Sequence, residues 1–475
     1  MKFRFDPEGQ RLPIKLDTTS NAEYAPIPLE ERNQHANALA QTAASEHARK
    51  LGLPRRKFLI SAAGAATSLL AINEANALAG KRAGFYSLAA DAARDIKLAE
   101  ASLGKKEFIF DVQGHYVPPN VAAERKRECA KLDYVSRDYM RCLGADDFVK
   151  DVFLDADTDM MVLSFVPSRR DAEPITIEEA DATRRIVDEL EGTQRLLIHG
   201  RVNPNQAGDI DGMDELAENY GISAWKTYTQ WGLNGKGFYL TDDVGIEFIE
   251  KARSLGVKNI CIHKGIPFGR RSYEHSLCTD IGPAAKRFPD VNFLIYHSGW
   301  IPGQAEGPYD PARGEGLDGL IQSVEEAGLG KGSNVYAELG STWRGLMRDA
   351  DSAAHGIGKL VKHLGEDNVL WGTDSVWYGS PQDQIQAFRT FQIAPKVRDE
   401  YGYAEITDRL RAKIFGLNAL KPYNLSMDEA TMRAKNDIVE QRRANYIEQR
   451  DPHHLTFGPK TRREFLRFWE LGGFG

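Results

Sequence analysis

Short apolar runs that end in a polar, proton-carrying or metal-binding residue recur along this chain, and that recurrence restricts the fold more than any single motif. Phe108-Ile109-Phe110-Asp111-Val112-Gln113-Gly114-His115 is the first. Asn259-Ile260-Cys261-Ile262-His263, Phe293-Leu294-Ile295-Tyr296-His297 and Val369-Leu370-Trp371-Gly372-Thr373-Asp374 repeat its form. A continuous apolar run of this length reads as a strand buried on both faces, as in a parallel sheet. Side chains two apart on a strand point the same way, which predicts Asp111, Gln113 and His115 on one face. The full set of candidate strands is Phe108–Gln113, Met160–Val166, Arg195–His199, Ile222–Lys226, Lys258–His263, Val291–His297, Asn334–Glu338 and Asn368–Thr373. Helical patterns lie between them. Ile177 to Leu190 carries acidic residues in its first turn. Another helix starts at Thr241-Asp242-Asp243, runs through Phe248, Ile249 and Ala252, and stops at Gly256. Eight strand–helix units predict an α/β protein, a closed (β/α)8 TIM barrel with its active site at the C-terminal strand ends. An open doubly wound sheet would want a glycine-rich phosphate turn after the first strand, and Asp111 to Pro118 holds a single glycine.

The 475 residues accommodate one such barrel plus extensions. The predicted division is a tail and signal over 1–80, the barrel over 107–425, and a helical C-terminal arm over 426–475. A net charge of −7 argues against nucleic acid as a partner, so a small-molecule substrate is expected. No apolar run is long and clean enough to span a membrane in a mature protein. The four cysteines, Cys129, Cys142, Cys261 and Cys278, contain no Cys-x-x-Cys pair and read as buried or free thiols. Residues 1–54 are polar and irregular and predict a poorly ordered tail. Pro54-Arg55-Arg56-Lys57-Phe58-Leu59 with the apolar run to Ile72 resembles a twin-arginine export signal, Ala75-Asn76-Ala77 having the form of a cleavage site. That resemblance implies a periplasmic protein. The alternative is an Ala-rich helix packed on the barrel of a cytoplasmic one. Thr461-Arg462-Arg463-Glu464-Phe465-Leu466 carries a similar arginine pair with no apolar run after it, so the pair alone decides little. Pro381 to Arg398 is expected to form the last barrel helix and Ile414 to Ala419 a short closing helix. The charged arm from Met427 ends in Phe465, Phe468, Trp469 and Phe474. These aromatics are expected to dock on the barrel wall or on a second subunit of a homo-oligomer.

The Asp-x-x-x-His end of the first strand, Ile262-His263-Lys264-Gly265, Tyr296-His297-Ser298-Gly299, Trp371-Gly372-Thr373-Asp374 and Gly416-Leu417-Asn418-Ala419 occur in the order found in the amidohydrolase superfamily. Between Phe108 and Leu425 the chain resembles the amidohydrolase-related branch that includes aminocarboxymuconate-semialdehyde decarboxylase. The resemblance implies one divalent metal ion, usually zinc, held by His115, His263 and Asp374, with His297 beside it to polarise the substrate or move protons. Gln113 departs from the pattern, since it stands where the branch has the first of two paired histidines. An amide carbonyl is a weaker zinc ligand than imidazole, which implies weaker zinc binding, manganese, or a water at that position. Taken singly, a strand-end histidine is also an ordinary hydrogen-bonded core residue, and His199 is read that way. Lys226 is read as pairing with a carboxylate and Glu338 as a hydrogen bonder inside the barrel. Trp231, Trp343 and Trp377 follow strands four, seven and eight, where they would wall a pocket. Arg270 and Arg271 would hold a substrate carboxylate or lie in solvent. The leading expectation is hydrolysis of a small amide, ester or lactone. A metal-activated water would be oriented and deprotonated by Asp374 while His297 polarises the carbonyl. The alternatives are metal-dependent, non-oxidative decarboxylation of a small aromatic or unsaturated acid, and a metal-free binding protein on the same barrel.

Overall fold

Of the ten strands among the described residues, eight run parallel, in sequence order, around one barrel. The computed structural model describes residues 6–16, 19–20, 23–116, 145–189, 194–267, 272–435, 438–447 and 461–470. The strands are β1 (Gly84–Tyr86), β2 (Phe110–Gly114), β3 (Met160–Leu163), β4 (Leu196–Arg201), β5 (Ala224–Tyr228), β6 (Asn259–His263), β7 (Asn292–Tyr296), β8 (Val335–Glu338), β9 (Val369–Leu370) and β10 (Phe391–Ile393). Strands β2 to β9 form the barrel. It closes through Val112 N to Trp371 O (3.0 Å), Asp374 N to Gln113 O (3.0 Å) and Val376 N to His115 O (3.0 Å). The predicted (β/α)8 architecture is the observed one. Phe110, Val112, Met160, Val162, Ala224, Cys261, Leu294, Tyr296, Tyr336 and Leu370 fill the interior, and Leu420 and Tyr423 join the same cluster. The alternate residues, such as Trp225, Ile260, Ile262, Phe293 and Ile295, pack outward in the cluster shared with the helices. Two apolar faces per strand explain why these segments read as unbroken apolar runs.

The first strand is less regular than its sequence suggests. The β2–β3 register shifts between Asp111 and Gly114. Asp111 therefore does not share a face with Gln113 and His115: its carboxylate accepts hydrogen bonds from Thr373 N (3.1 Å), Thr373 Oγ1 and Gln113 N (3.0 Å). Pro381 to Arg398 is also not one helix. A helix covers Gln382–Thr390, and Phe391–Ile393 then extends as β10, pairing antiparallel with β1. A second helix begins at Pro395, and the residue before a proline favours extended backbone.

The largest departure from expectation is at the N-terminus. Residues expected to be a poorly ordered tail form helix α1 (Glu31–Lys50). Its composition is polar, but Ala36, Ala40, Ala44 and Ala48 are buried at a four-residue spacing that average composition conceals. Helices α2 (Arg55–Leu59) and α3 (Ala62–Leu78) follow. Helix α3 lies against α1, Ile96–Leu103 and Gln382–Thr390. It buries Ala63, Ala65, Ala66, Leu69, Ala71, Ile72 and Ala75, and a helix apolar on all sides is one covered on all sides. Arg55 donates to Gln41 O (2.9 Å) on α1, and Phe58 is fully buried. In this fold the arginine-pair segment and its apolar run thus take the place of the Ala-rich helix packed against the barrel domain.

The C-terminal arm uses the same chain as its dock. Arg443 donates to Phe153 O (2.7 Å) and Thr158 O (2.6 Å), Arg462 donates to Pro26 O (3.2 Å), and Phe465 is buried. Cys261 and Cys278 are buried thiols. Cys129, Cys142, Arg270, Arg271, Phe474 and the side chains of Phe468 and Trp469 lie outside the described residues. Among the described residues no helix is long and apolar enough to cross a membrane.

Candidate active site

Three histidines at C-terminal strand ends have one ring nitrogen tied to a backbone carbonyl. His115 Nδ1 lies 3.1 Å from Ser164 O, His263 Nε2 3.3 Å from Ile266 O, and His297 Nδ1 2.7 Å from Gly340 O. A carbonyl oxygen only accepts, so each of those nitrogens carries a proton. In the neutral ring the other nitrogen then presents a lone pair, the orientation typical of metal-ligating imidazoles. These lone-pair atoms are His115 Nε2, His263 Nδ1 and His297 Nε2.

His115 Nε2 lies 3.1 Å from Asp374 Oδ1 and 3.4 Å from Gln113 Nε2, and the Trp377 ring stacks on its imidazole at 5.5 Å. Two acceptors this close require positive charge between them, whether a proton on Nε2 or a metal ion. The His263 and His297 rings stand 4.5 Å apart, and Tyr228 stacks on His263 at 4.4 Å. Burial first, then His297 and Lys226, pushes His263 well below the usual histidine range. Burial likewise pushes His297 down to about 4, so both rings are neutral at pH 7. His297 Nε2 is buried and has no hydrogen-bond partner among the described residues. The neutral imidazoles of His263 and His297, with the His115–Asp374 pair beside them, are donor types that suit the divalent metal ion the sequence implies.

Asp374 is fully enclosed and adopts a left-handed φ of 59°. His297 and Ser341 do the same, at 65° and 54°. Non-glycine residues rarely take this conformation, and such residues concentrate at functional sites. Burial raises the Asp374 carboxyl, but the contacts with His115, His297 and Ser341 outweigh it and hold the group down at about 2. Its Oδ2 accepts from Ser341 Oγ (2.5 Å), Ser341 Oγ lies 2.7 Å from Tyr378 OH, and Tyr378 OH lies 3.0 Å from Tyr24 OH. An ionised carboxylate only accepts, so the chain has a direction: Tyr24 donates to Tyr378, Tyr378 to Ser341, and Ser341 to Asp374.

Gln113 reaches this group, but through its amide nitrogen, which donates to Asp374 Oδ1 at 2.9 Å. The expected carbonyl ligand instead faces Gly340, where a Cβ would come within 2.1 Å of Gln113 Oε1. The acceptors on Asp374 and His115 draw the N–H side inward. Trp377 lines the site as expected, whereas Trp343 does not. Trp343 is buried against Phe388 (5.0 Å) and Phe391 (5.2 Å), and its Nε1 donates to Gln384 O. Lys226 forms no ion pair with a carboxylate of the described residues. Its Nζ sits 3.9 Å from the Tyr296 ring centre and 4.6 Å from that of Tyr228, and burial lowers its pKa to about 8. His199 bonds Ser164 Oγ (3.0 Å) in the core. Glu338, raised to about 8 by burial, accepts from His297 N (3.0 Å) and Gly340 N (2.6 Å). It thereby fixes the ends of β7 and β8. A Cβ on Gly372 would stand 1.5 Å from Glu338 Oε1. Gly372→Ala should therefore displace Glu338 and turn His297, lowering kcat/KM roughly tenfold or more while the circular dichroism spectrum stays that of the wild type.

Glu23 went unseen in the sequence. Its Oε1 lies 3.7 Å from His263 Nδ1, and one donor atom each from Glu23, His263 and His297 falls within 4.8 Å of the others, forming a candidate metal cluster. Nothing in Asn21-Ala22-Glu23-Tyr24 marks it, because no local pattern connects it to strands more than two hundred residues away.

Imidazoles and an aspartate stand at the C-terminal mouth of a (β/α)8 barrel, the end at which enzymes of this fold carry their active sites. Residues 111–425 match the amidohydrolase family, and the chain belongs to it. Among solved structures it is similar to 5-carboxyvanillate decarboxylase LigW from Sphingomonas paucimobilis, with 14% identity, 68% of this chain and 100% of that chain covered, and a TM-score of 0.42. It is similar also to a 2,6-dihydroxybenzoate decarboxylase complexed with 2,6-dihydroxybenzoate (16% identity, 67% and 100% covered, TM-score 0.40). A uronate isomerase from Bacillus halodurans shares 11% identity over 90% of this chain and 96% of that one, with a TM-score of 0.35. At these identities and scores the likeness is one of barrel architecture. No curated protein matches the chain.

Proposed function

We propose that this amidohydrolase-family protein is a metal-dependent decarboxylase that releases CO2 from a small aromatic or unsaturated carboxylic acid. The observation that carries this reading is the inward direction of the hydroxyl chain ending on Asp374. Replacing a carboxylate by hydrogen consumes one proton per turnover, delivered to carbon, whereas hydrolysis at an activated water consumes none. His115, His263 and Asp374 would hold one divalent ion, zinc or manganese, which when bound supplies positive charge to the substrate's oxygen atoms. The rings of Trp377 and Tyr228, each stacked on a site histidine, suit a flat, unsaturated substrate. His297 Nε2 accepts a hydrogen bond from a substrate hydroxyl. The bond from carbon to the carboxyl group breaks, its electron pair stays on carbon, and as CO2 leaves that carbon takes a proton passed from Ser341 through Asp374, which is ionised before and after the transfer. Tyr378 and Tyr24 then return a proton to Ser341.

The same residues support a second reading. An aspartate held at about 2 is a ready base for water, which favours hydrolysis of an amide, ester or lactone. The two readings separate in a direct assay of zinc- and manganese-loaded protein. CO2 release is measured from a panel of hydroxybenzoates, carboxybenzoates and unsaturated dicarboxylic acids, and acid release from a panel of amides, esters and lactones. CO2 release is the expected result. Hydrolysis alone would establish the second reading, and a metal-free protein inert on both panels would point to a binding function. Tyr378→Phe tests the hydroxyl chain. It should lower kcat about tenfold with KM and metal content unchanged, and unaltered turnover would remove the chain from the mechanism.

A further inference from the structure

The ligands at the barrel's own strand ends leave a divalent ion short of negative charge. Three imidazoles, which ligate a metal ion in their uncharged form, and one carboxylate, Asp374, surround the site, and Gln113 turns a neutral amide N–H toward it. His263, His297 and Asp374 are buried to within 1% of full enclosure, so one positive charge would remain in a poorly screened interior. A second carboxylate is already there. Glu23 Oε1 stands 3.7 Å from His263 Nδ1, the nitrogen left with a lone pair once Nε2 donates to Ile266 O. Two donor atoms bound to one tetrahedral ion at ~2.1 Å lie about 3.4 Å apart, so the observed separation is close to that of a shared ion. His297 Nε2 is aimed at the same place and has no hydrogen-bond partner among the described residues. The backbone beside Glu23 is anchored as well. Tyr24 bonds Tyr378 (3.0 Å) and meets Trp300 edge-on at 6.2 Å. Arg462 holds Pro26 O (3.2 Å), and Arg348 holds Pro28 O (2.7 Å).

We propose that Glu23 is a metal ligand: the N-terminal segment supplies the second carboxylate of the divalent-cation site, so residues upstream of Ala77 belong to the working enzyme. The inference rests on the metal reading of the site and deepens it. It makes the segment that resembles an export signal a retained part of the mature chain.

The test is zinc and manganese binding by calorimetry on the full chain, for the wild type, Glu23→Gln, Asp374→Asn and the surface control Glu31→Gln. Cobalt-loaded protein is followed by its visible absorption spectrum. Glu23→Gln should weaken binding at least ~10-fold and change the cobalt spectrum, as loss of an oxygen ligand requires, while the metal-free melting temperature and the Glu31→Gln variant stay at wild-type values. If the wild type binds metal and Glu23→Gln matches it in affinity and spectrum, the proposal is wrong and the metal reading stands. If the wild type binds neither ion, both fall. N-terminal sequencing of the native protein gives a separate check: a chain that begins after Ala77 and still binds one ion with full affinity would overturn it.

Discussion

Deleting residues 1–77 should leave a chain that does not fold cooperatively. Phe58, Leu69 and Ile72 are 0 to 3% exposed. Each contributes about 1.5–3 kcal/mol by leaving water, against a total stability of ~5–15 kcal/mol for a typical domain. Their removal also uncovers the apolar surface that they cover. Polar contacts are lost at the same time. Asn73 brackets Tyr86 with two hydrogen bonds (2.7 and 2.8 Å), Asn76 accepts from Ala350 N (3.2 Å), and Asn33 donates to Arg348 O (2.9 Å). Each loss leaves a buried or half-buried backbone group without that hydrogen bond. Soluble yield, far-ultraviolet circular dichroism and thermal melting of the truncated and full chains provide the measurement. A truncated chain that melts cooperatively within a few degrees of the full one would show that the segment is dispensable, as a cleaved export signal must be.

Asp374→Asn should lose metal and turnover together. The substitution keeps size, and asparagine tolerates the left-handed backbone found at this position, so the fold has no reason to change. Charge is what disappears. His115 Nε2 would face a neutral amide at 3.1 Å, Ser341 would no longer donate to a carboxylate, and no group would remain to carry a proton to the substrate. The expected loss in kcat/KM is at least ~10²-fold, with metal stoichiometry well below one per chain. Retention of both would dismiss the site, whichever reaction the enzyme catalyses.

The barrel was legible because its determinants are local. Each strand is an apolar run bounded by turn residues, each helix has its own period and caps, and eight repeats admit few closed arrangements. The strand-end positions of His115, His263, His297 and Asp374 were legible for the same reason. Other features depended on contacts between distant parts of the chain. Trp343 and Trp377 both follow barrel strands in loops of similar composition, yet one packs beneath Phe388 and Phe391 and the other covers His115. Phe391–Ile393 leaves a helical pattern because β1, some three hundred residues earlier, offers it a partner. Helix α3 resembles an export signal in sequence because a segment made to enter a membrane and one largely buried against other helices share a composition. Glu23 is the extreme case. A carboxylate in a polar stretch carries no mark of its partner, and only the folded chain brings it beside histidines 263 and 297. Sequence by itself determined the scaffold and the strand-end residues, whose patterns repeat within a few positions. Tertiary structure alone decided what surrounds them, because contacts between segments hundreds of residues apart leave no periodic trace in either segment.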